Sequence, residues 1–270
     1  MQNDMNRREF ELFSTLVYER LGISLSDQKI SLLQNRLGKL MHQKEMSNYR
    51  ELYNYFVEHE GERADNELED AVTTNVTSFF RHEEQWSYLK EYLIKHASKS
   101  KDKKLRIWSA ACSSGEEPYS VAMLLKEHLS DFDAWDIKIL ATDISEEILR
   151  QAIQGSYKGD TMEGINDYLL NRYFSPYEDH YQIDEDLRSL VTFRKFNLVY
   201  GDYSLFSQPF DLIFCRNVMI YFDRNVQTQI NLKLSEILKN DGLLLVGHSE
   251  TIPPHIGGLK LIKSSIYTKH

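Results

Sequence analysis

Four short segments carry residue types that chemistry can use. The first is Arg106-Ile-Trp-Ser-Ala-Ala-Cys-Ser-Ser-Gly-Glu-Glu-Pro-Tyr-Ser120, a strand running through small residues into a helix. Ala110, Ala111, Ser113, Ser114 and Gly115 let a backbone approach a ligand closely, as glycines do in a dinucleotide fingerprint, but GxGxxG itself is absent and a diphosphate is not indicated. Glu116 and Glu117 stand where a phosphate loop wants no negative charge, whereas a ligand with an ammonium and a sulfonium, such as S-adenosylmethionine, tolerates or favours them. The alternative is that Glu116, Glu117 and Pro118 simply open a helix, since acids and proline suit a first turn. The second segment, Ile137 to Ser145, puts Asp143 just past a strand end, where it can accept from ribose hydroxyls or cap the next helix. The third, Phe210 to Phe222, ends a buried strand with Arg216 and Asn217 and reaches Tyr221; the fourth, Thr73 to Arg81, offers Asn75, Thr77 and Arg81 beside Phe79 and Phe80.

The elements that must position these residues change character along the chain. From Asn6 to about Phe80 the pattern is helical: Phe10, Phe13, Leu16, Val17 and Leu21 recur at three and four residues, with Gly22 as a C-cap. A second helix is expected after Ser26 with Ile30, Leu33, Leu37, Leu40 and Met41 on its stripe, and further helical patterns run Tyr49–Val57 and Leu68–Val76. After the charged stretch His96–Lys104, short apolar runs alternate with amphipathic helices, the signature of a parallel α/β sheet. Strands are expected at Leu105–Ala110, Ile137–Ala141, Phe210–Cys215 and Leu243–Val246, with helices near Tyr119–Leu129, Glu146–Ile153 and Asn225–Lys239. Between Tyr157 and Asn197 the pattern lapses, and Tyr181–Ile183 and Leu190–Arg194 are expected to pair as an antiparallel hairpin across Asp184–Arg188. It is either a partner-binding excursion or a plain connection.

Composition narrows the class. Among 270 residues there are only 12 Gly and 5 Pro against 12% aromatics, which excludes collagen-like and disordered chains. Acidic residues number 41 against 32 basic, a net charge of −9, so wrapping nucleic acid is not expected. Cys112 and Cys215 are far apart and lack partners at ligand spacing, which argues against a disulfide framework or a zinc site, and the nine histidines show no pairing that suggests a metal. The N-terminus has no apolar region after its basic residues, and the aliphatic run Leu243–Val246 falls far short of the ~20 residues of a membrane span. A soluble, cytoplasmic protein is expected, monomeric by default.

The four segments together resemble the chemotaxis receptor glutamate methyltransferases, the CheR family of S-adenosylmethionine-dependent O-methyltransferases. TNVTSFFR, SAACSSGEEPYSVAM, ATDIS, FNL, DLIFCRNVMIYF and DGLLLVGHSET occur in that family's order, covering about residues 70–250. The resemblance implies an all-α N-terminal domain over 1–70, a linker and connecting helix over 71–95, and an α/β Rossmann-like methyltransferase domain over 96–270 with a small antiparallel β-subdomain at about 157–195. By similarity, Asn75, Thr77, Arg81, Glu117, Asp143, Asn197, Leu198, Arg216 and Asn217 line the cofactor site, with Arg81 and Tyr221 nearest the methyl transfer. Where many relatives have glycine in the first loop, this chain has Ala111.

The implied reaction is attack of a receptor glutamate carboxylate on the cofactor's methyl group, giving a γ-glutamyl methyl ester and S-adenosylhomocysteine. A glutamate with an ordinary pKa near ~4.3 is already ionised at neutral pH, so positioning and desolvation suffice without a strong base. Arg81 is either a fork for a carboxylate or an interdomain salt bridge, and Tyr221 either a hydrogen-bond donor or a packed aromatic. The implied partners are the cytoplasmic domains of methyl-accepting chemotaxis receptors, with recruitment to membrane receptor arrays. Between Gln28 and Arg50 five basic residues, Lys29, Arg36, Lys39, Lys44 and Arg50, face one acid, Glu45. Arg36, Lys39 and Gln43 share a helical face that either docks the receptor's acidic methylation helices or is merely solvated. Two other classes stay open on the residues alone: a cofactor-sensing module that transfers nothing, and a nicotinamide-dependent oxidoreductase, which the missing glycine fingerprint disfavours. His248, in Gly-His-Ser-Glu, either lines the site or is a structural loop residue.

Overall fold

The computed structural model describes residues 4–59, 61–99, 102–254 and 256–270. The charged stretch His96–Lys104 therefore lies partly outside the described residues. The chain divides into two compact units, Met1–Thr74 with Ile220–Gln227, and Asn75–Met219 with Thr228–His270.

The first unit is helical. Helix α1 (Arg7–Leu21) starts at a capping box in which Asn6 and Glu9 satisfy each other's backbone N–H, and stops where Gly22 takes φ 74°. Helix α2 (Ile30–Gln43) follows a short 3₁₀ turn, and α3 (Tyr49–Glu58) is capped by Asn48. Helix α4 (Glu62–Val72) ends earlier than the expected Val76, because Thr73 turns extended at ψ 151°. Phe10, Phe13, Leu16, Leu33, Leu37, Leu52, Phe56 and Leu68 fill the interior. Arg20 fastens three of the helices, donating to Asp65 at 2.8 Å and to the Phe56 carbonyl at 2.7 Å.

The second unit opens with α5 (Glu83–Lys99) and then alternates: β1 (Lys104–Ala110), α6 (Glu116–His128), β2 (Asp136–Asp143), α7 (Glu146–Gln154), β3 (Ser156–Tyr157), α8 (Asp167–Tyr173), β4 (Phe174–Tyr177), β5 (His180–Ile183), α9 (Glu185–Arg188), β6 (Val191–Lys195), β7 (Phe210–Cys215), α10 (Arg224–Ile237), β8 (Leu238–Val246), β9 (Leu259–Lys263) and β10 (Ile266–Lys269). The main sheet has the order β6-β2-β1-β7-β8-β10-β9, parallel from β6 to β8 and closed by two antiparallel strands. The β1 and β7 runs are apolar almost throughout because helices cover both faces of a parallel sheet. Strand order reverses between β1 and β7, and the crevice beyond the carboxyl ends of those strands is where such a fold holds ligands. The fold is a Rossmann-like α/β unit preceded by an all-α part.

The expected hairpin does not form. Tyr181–Ile183 lies in β5, which pairs antiparallel with β4 and β3 in a separate three-stranded sheet. Leu190–Arg194 instead belongs to β6, which runs parallel to β2 in the main sheet from Ile139↔Val191 to Asp143↔Lys195. Asp184–Arg188 is not a tight turn either, since Glu185–Arg188 coils into a helical turn that redirects the chain. The small sheet still backs the linker: Phe79, fully buried, meets Tyr157 edge-on at 4.9 Å and Phe174 at 5.6 Å, and its N–H donates to the Thr161 carbonyl.

Candidate active site

The loop after β1 reaches α6 through three residues with left-handed backbone, Ala111 at φ 62°, Ser113 at φ 51° and Gly115 at φ 95°. Two of these are not glycine, and such residues persist only where surrounding contacts over-determine them. Those contacts are present. Cys112 N donates to the Thr142 carbonyl at 2.9 Å, Ser113 N to Asp143 Oδ2 at 2.9 Å, and Tyr157 Oη to the Ser114 carbonyl at 2.7 Å. At Gly115 a Cβ would lie 3.0 Å from Ala152 Cβ and 3.1 Å from Tyr157 Oη, so the loop fits only without a side chain there.

Glu116 and Glu117 are both buried in the first turn of α6. Glu116 accepts from Ser114 Oγ at 2.6 Å. Glu117 is in no position to act as a bare negative charge, since it accepts from Ser109 Oγ at 2.6 Å and from Arg216 Nη1 at 3.0 Å. Burial pushes the Glu117 carboxyl up, opposed by the Arg216 guanidinium and the Ser109 hydroxyl. Burial likewise lowers Arg216, and the paired carboxylate opposes it. Arg216 also donates through Nη2 to the Arg81 carbonyl and to His82 Nδ1, and its guanidinium lies 5.7 Å from the Trp86 ring. Breaking such a buried pair from one side strands the other charge, at a cost of about 3–5 kcal/mol.

Asp143 braces the loop through Ser113 N and holds Ser145 N at 3.1 Å, while Ser145 Oγ caps α7. Asp143 thus braces the β1 and β2 ends whatever else it binds, and the residue that caps α7 is Ser145 rather than Asp143. Asn197 Oδ1 accepts from the N–H groups of Val199 and Tyr200, a local turn, and the buried Leu198 lends its carbonyl to Tyr203 Oη at 2.9 Å. Asn217, at φ 58°, is held through its N–H by Glu250 Oε2 at 2.9 Å. Glu250 also accepts from Met219 N at 2.8 Å and from Gly247 N at 2.5 Å, so one buried carboxylate ties the loop after β7 to the loop after β8. Glu250 was not among the expected site residues; the signal available was an acid directly after Gly-His-Ser at a strand's end.

Asn75, Thr77 and Arg81 line one cleft of about 440 Å³ together with Val76, Ser78, Ser114, Asp160 and Thr161. The linker and the β1 loop are thereby brought together, Ser114 being the residue after Ser113, which Asp143 holds. Asp160 and Thr161 come from the connection between β3 and α8, within the small-sheet region, and carry no motif that sequence reasoning would flag. Glu117, Arg216 and Asn217 lie in the bonded network rather than along that cleft's lining. Tyr221 belongs to the helical unit: its ring lies 5.0 Å from Lys29 Nζ and its carbonyl accepts from Ser24 N.

The basic face of α2 is only partly available. Arg36 is half-buried and donates to the Val72 and Thr73 carbonyls and to Thr74 Oγ1, so its donors cap the end of α4 instead of facing a partner. Burial lowers Lys29, with Arg36 adding to the effect. Lys44 pairs with Glu67 at 2.8 Å and lies 4.0 Å from the Tyr55 ring. Lys39 is exposed.

Two buried polar atoms in this network, Ser113 Oγ and Arg216 Nε, have no protein partner. Each would cost about 1–3 kcal/mol if left unsatisfied, and a hydroxyl beside Asp143 with a spare guanidinium donor suits a ligand carrying ribose hydroxyls and a carboxylate, as S-adenosylmethionine does. Among the described residues no group of His, Cys, Asp or Glu is arranged to hold a metal ion.

Comparisons with known proteins agree with this architecture. Residues 75–268 match the family described as "CheR methyltransferase, SAM binding domain", and residues 8–73 the family "CheR methyltransferase, all-alpha domain". The chain is 38% identical over 273 residues to the chemotaxis protein methyltransferase of Borreliella burgdorferi, covering 99% of this chain and 96% of the relative. It is 35% identical to that of Escherichia coli (strain K12), covering 89% and 83%. Among solved structures, magnesium protoporphyrin IX methyltransferase from Synechocystis PCC 6803 is similar at 14% identity over 74% of this chain and 70% of that one, with a TM-score of 0.34, too distant to add to the assignment. With both parts matched by family and relatives above 30% identity along nearly its whole length, the chain belongs to the CheR family of S-adenosylmethionine-dependent chemotaxis protein methyltransferases.

Proposed function

We propose that this protein methylates specific glutamate side chains on the cytoplasmic domains of methyl-accepting chemotaxis receptors, forming glutamyl methyl esters in chemotactic adaptation. The observation that carries the reading is the joined site: a cleft lined by Asn75, Thr77 and Arg81 beside a left-handed loop braced by Asp143, inside the region matched as the SAM-binding domain. S-Adenosylmethionine, when bound, supplies a methyl group to an ionised carboxylate and leaves as S-adenosylhomocysteine. Asp143 is the acid for the ribose hydroxyls, and Asn197, Leu198, Arg216 and Asn217 shape the same edge of the sheet. Glu117 acts by holding Arg216.

Arg81 gives one donor to the Val76 carbonyl at 3.0 Å, and the guanidinium carries others in a planar fork matched to a carboxylate. It orients either the incoming glutamate or the cofactor's own carboxylate. Tyr221 is assigned by its place in the motif DLIFCRNVMIYF, as a hydroxyl donor to the incoming oxygen. The receptor's acidic helices are proposed to meet the α2 side of the helical unit through Lys39, with Lys29, Lys44 and Arg36 contributing field rather than direct contacts. Among the described residues no helix is long and apolar enough to cross a membrane; access to receptors is proposed to be by recruitment to their arrays.

The test is transfer of labelled methyl groups from S-adenosylmethionine to receptor-containing membranes, with alkali lability and peptide mapping as readouts. Base-labile label on receptor glutamates is expected. Binding of S-adenosylhomocysteine without transfer to any receptor would favour the cofactor-sensing alternative.

A further inference from the structure

His82 sits on the ion-pair network yet has no part in the roles assigned so far. Its Nδ1 lies 3.0 Å from Arg216 Nη2, its ring is stacked on His248 at 3.8 Å between centroids and 15° between planes, and its backbone is left-handed at φ 69°. A guanidinium offers donors alone, so the contact requires a lone pair on Nδ1, and donor–acceptor logic assigns the proton to Nε2. Arg216 then links three chain segments: Glu117 in α6, its own loop after β7, and the Arg81–His82 turn, where the Arg81 carbonyl accepts from both Arg216 and Trp86 Nε1. Two residues of this turn, His82 and Phe80 at φ 49°, occupy backbone that side chains rarely adopt, so the turn needs contacts to hold it.

We propose that His82 is a positioning residue for methyl transfer: bonded to Arg216 on its edge and stacked on His248 on its face, its neutral ring pins the Arg81–His82 turn, and with it the Arg81 guanidinium of the cleft, against the Arg216–Glu117 pair. The inference rests on the reading of Arg81 and Arg216 as cofactor-site residues. The charged and titratable groups facing the ring are Arg216 from the loop after β7, His248 from the loop after β8 and Arg81 beside it. Burial first, then Arg216, His248 and Arg81, push the imidazole down to about 4. A proton on Nδ1 would set two cations 3.0 Å apart and break the bond.

The experiment uses the full chain as wild type, His82→Asn and His82→Leu. Asn keeps an acceptor near the Nδ1 position, and Leu keeps bulk without one. Histidine-labelled NMR, with the His82 signal assigned by its loss in His82→Asn, should show the Nε2–H tautomer at pH 7 and a neutral ring still at pH 5.5, where an ordinary histidine is about 90% protonated. Calorimetry with S-adenosylhomocysteine should find His82→Leu weakened by roughly 10-fold or more, the scale of a lost hydrogen bond to a charged group, and His82→Asn restoring most of the affinity. An Nδ1–H tautomer, titration in the ordinary histidine range, unchanged affinity in the Leu variant, or failure of Asn to restore it would each overturn the proposal. Should wild type not bind S-adenosylhomocysteine, the cofactor reading fails and the positioning role with it, while the tautomer and titration still decide whether His82 Nδ1 accepts from Arg216.

Discussion

Glu250 offers the sharpest mutational test of how the site is held. Its carboxylate takes three backbone N–H groups, from Asn217 at 2.9 Å, Met219 at 2.8 Å and Gly247 at 2.5 Å, in a residue only 6% exposed. In Glu250→Gln the amide oxygen can keep Asn217 and Gly247, but the NH₂ must then face Met219 N–H, donor against donor. One charge-assisted bond is lost and one buried N–H is stranded, at a cost of about 2–3 kcal/mol. Glu250→Ala removes all three acceptors; the contributions are not additive and water can enter the space, so about 4 kcal/mol is expected. Because Asn217 sits in left-handed backbone fixed by this contact, S-adenosylhomocysteine affinity should fall by roughly a further 10-fold, the effect of a displacement worth ~1.4 kcal/mol. Urea unfolding followed by fluorescence, with calorimetry on the same samples, reads both quantities. If Glu250→Gln unfolded within ~0.5 kcal/mol of wild type and bound the product equally well, the bracing role would be wrong.

Further outcomes follow from the same geometry. Gly115→Ala should cost about 1–3 kcal/mol and weaken S-adenosylhomocysteine binding, since φ 95° is strained for alanine and its Cβ would press on Ala152 and Tyr157; thermal melts and calorimetry check this. Arg36→Ala should lower thermal stability by about 1–3 kcal/mol through the stranded Val72 and Thr73 carbonyls, whereas the exposed Lys39→Glu should leave stability unchanged and reduce receptor methylation in a salt-dependent way. Burial alone would raise the Glu67 carboxyl, but bonds from Lys44 and Tyr55 outweigh it and hold it below the ordinary range. A depressed carboxyl contributes stability above its unfolded pKa and loses it as pH falls through the folded value, so Lys44→Ala should flatten the decline of stability below about pH 4.5, measured by melts from pH 3 to 7.

The helices and central strands were legible because their signals are local. The capping box at Asn6 and Glu9, the left-handed Gly22 and the Ser145 cap each act within a few residues, and the apolar runs of β1 and β7 follow from burial on both faces. Strand pairing was not legible for β5 and β6, since alternating patterns reveal a buried face but not the partner across it, and the hydrogen bonds that choose the partner are non-local. The C-terminal strand β9 is not legible because Leu259–Lys263 is an exposed edge carrying Lys260 and Lys263, and β10, though mostly buried between β8 and β9, is only Ile266–Lys269, too short to show a pattern. The residues that look chemical are also structural: in the site Glu117 holds Arg216 and Asp143 braces a loop, and in the helical unit Arg36 caps a helix. Charge and position point to such residues, whereas their partners at separations of 30 to 135 positions emerge only on folding.

The central claim is that residues of the α/β unit bind S-adenosylmethionine through the linker, the β1 loop and Asp143. The most direct measurement is calorimetric titration of the full chain with S-adenosylhomocysteine, as wild type, Arg81→Ala and Asp143→Ala. One site per chain in wild type, with binding lost or greatly weakened in both variants while each still melts cooperatively, is the predicted result. No binding in wild type, or affinity unchanged in Arg81→Ala and Asp143→Ala, would contradict it.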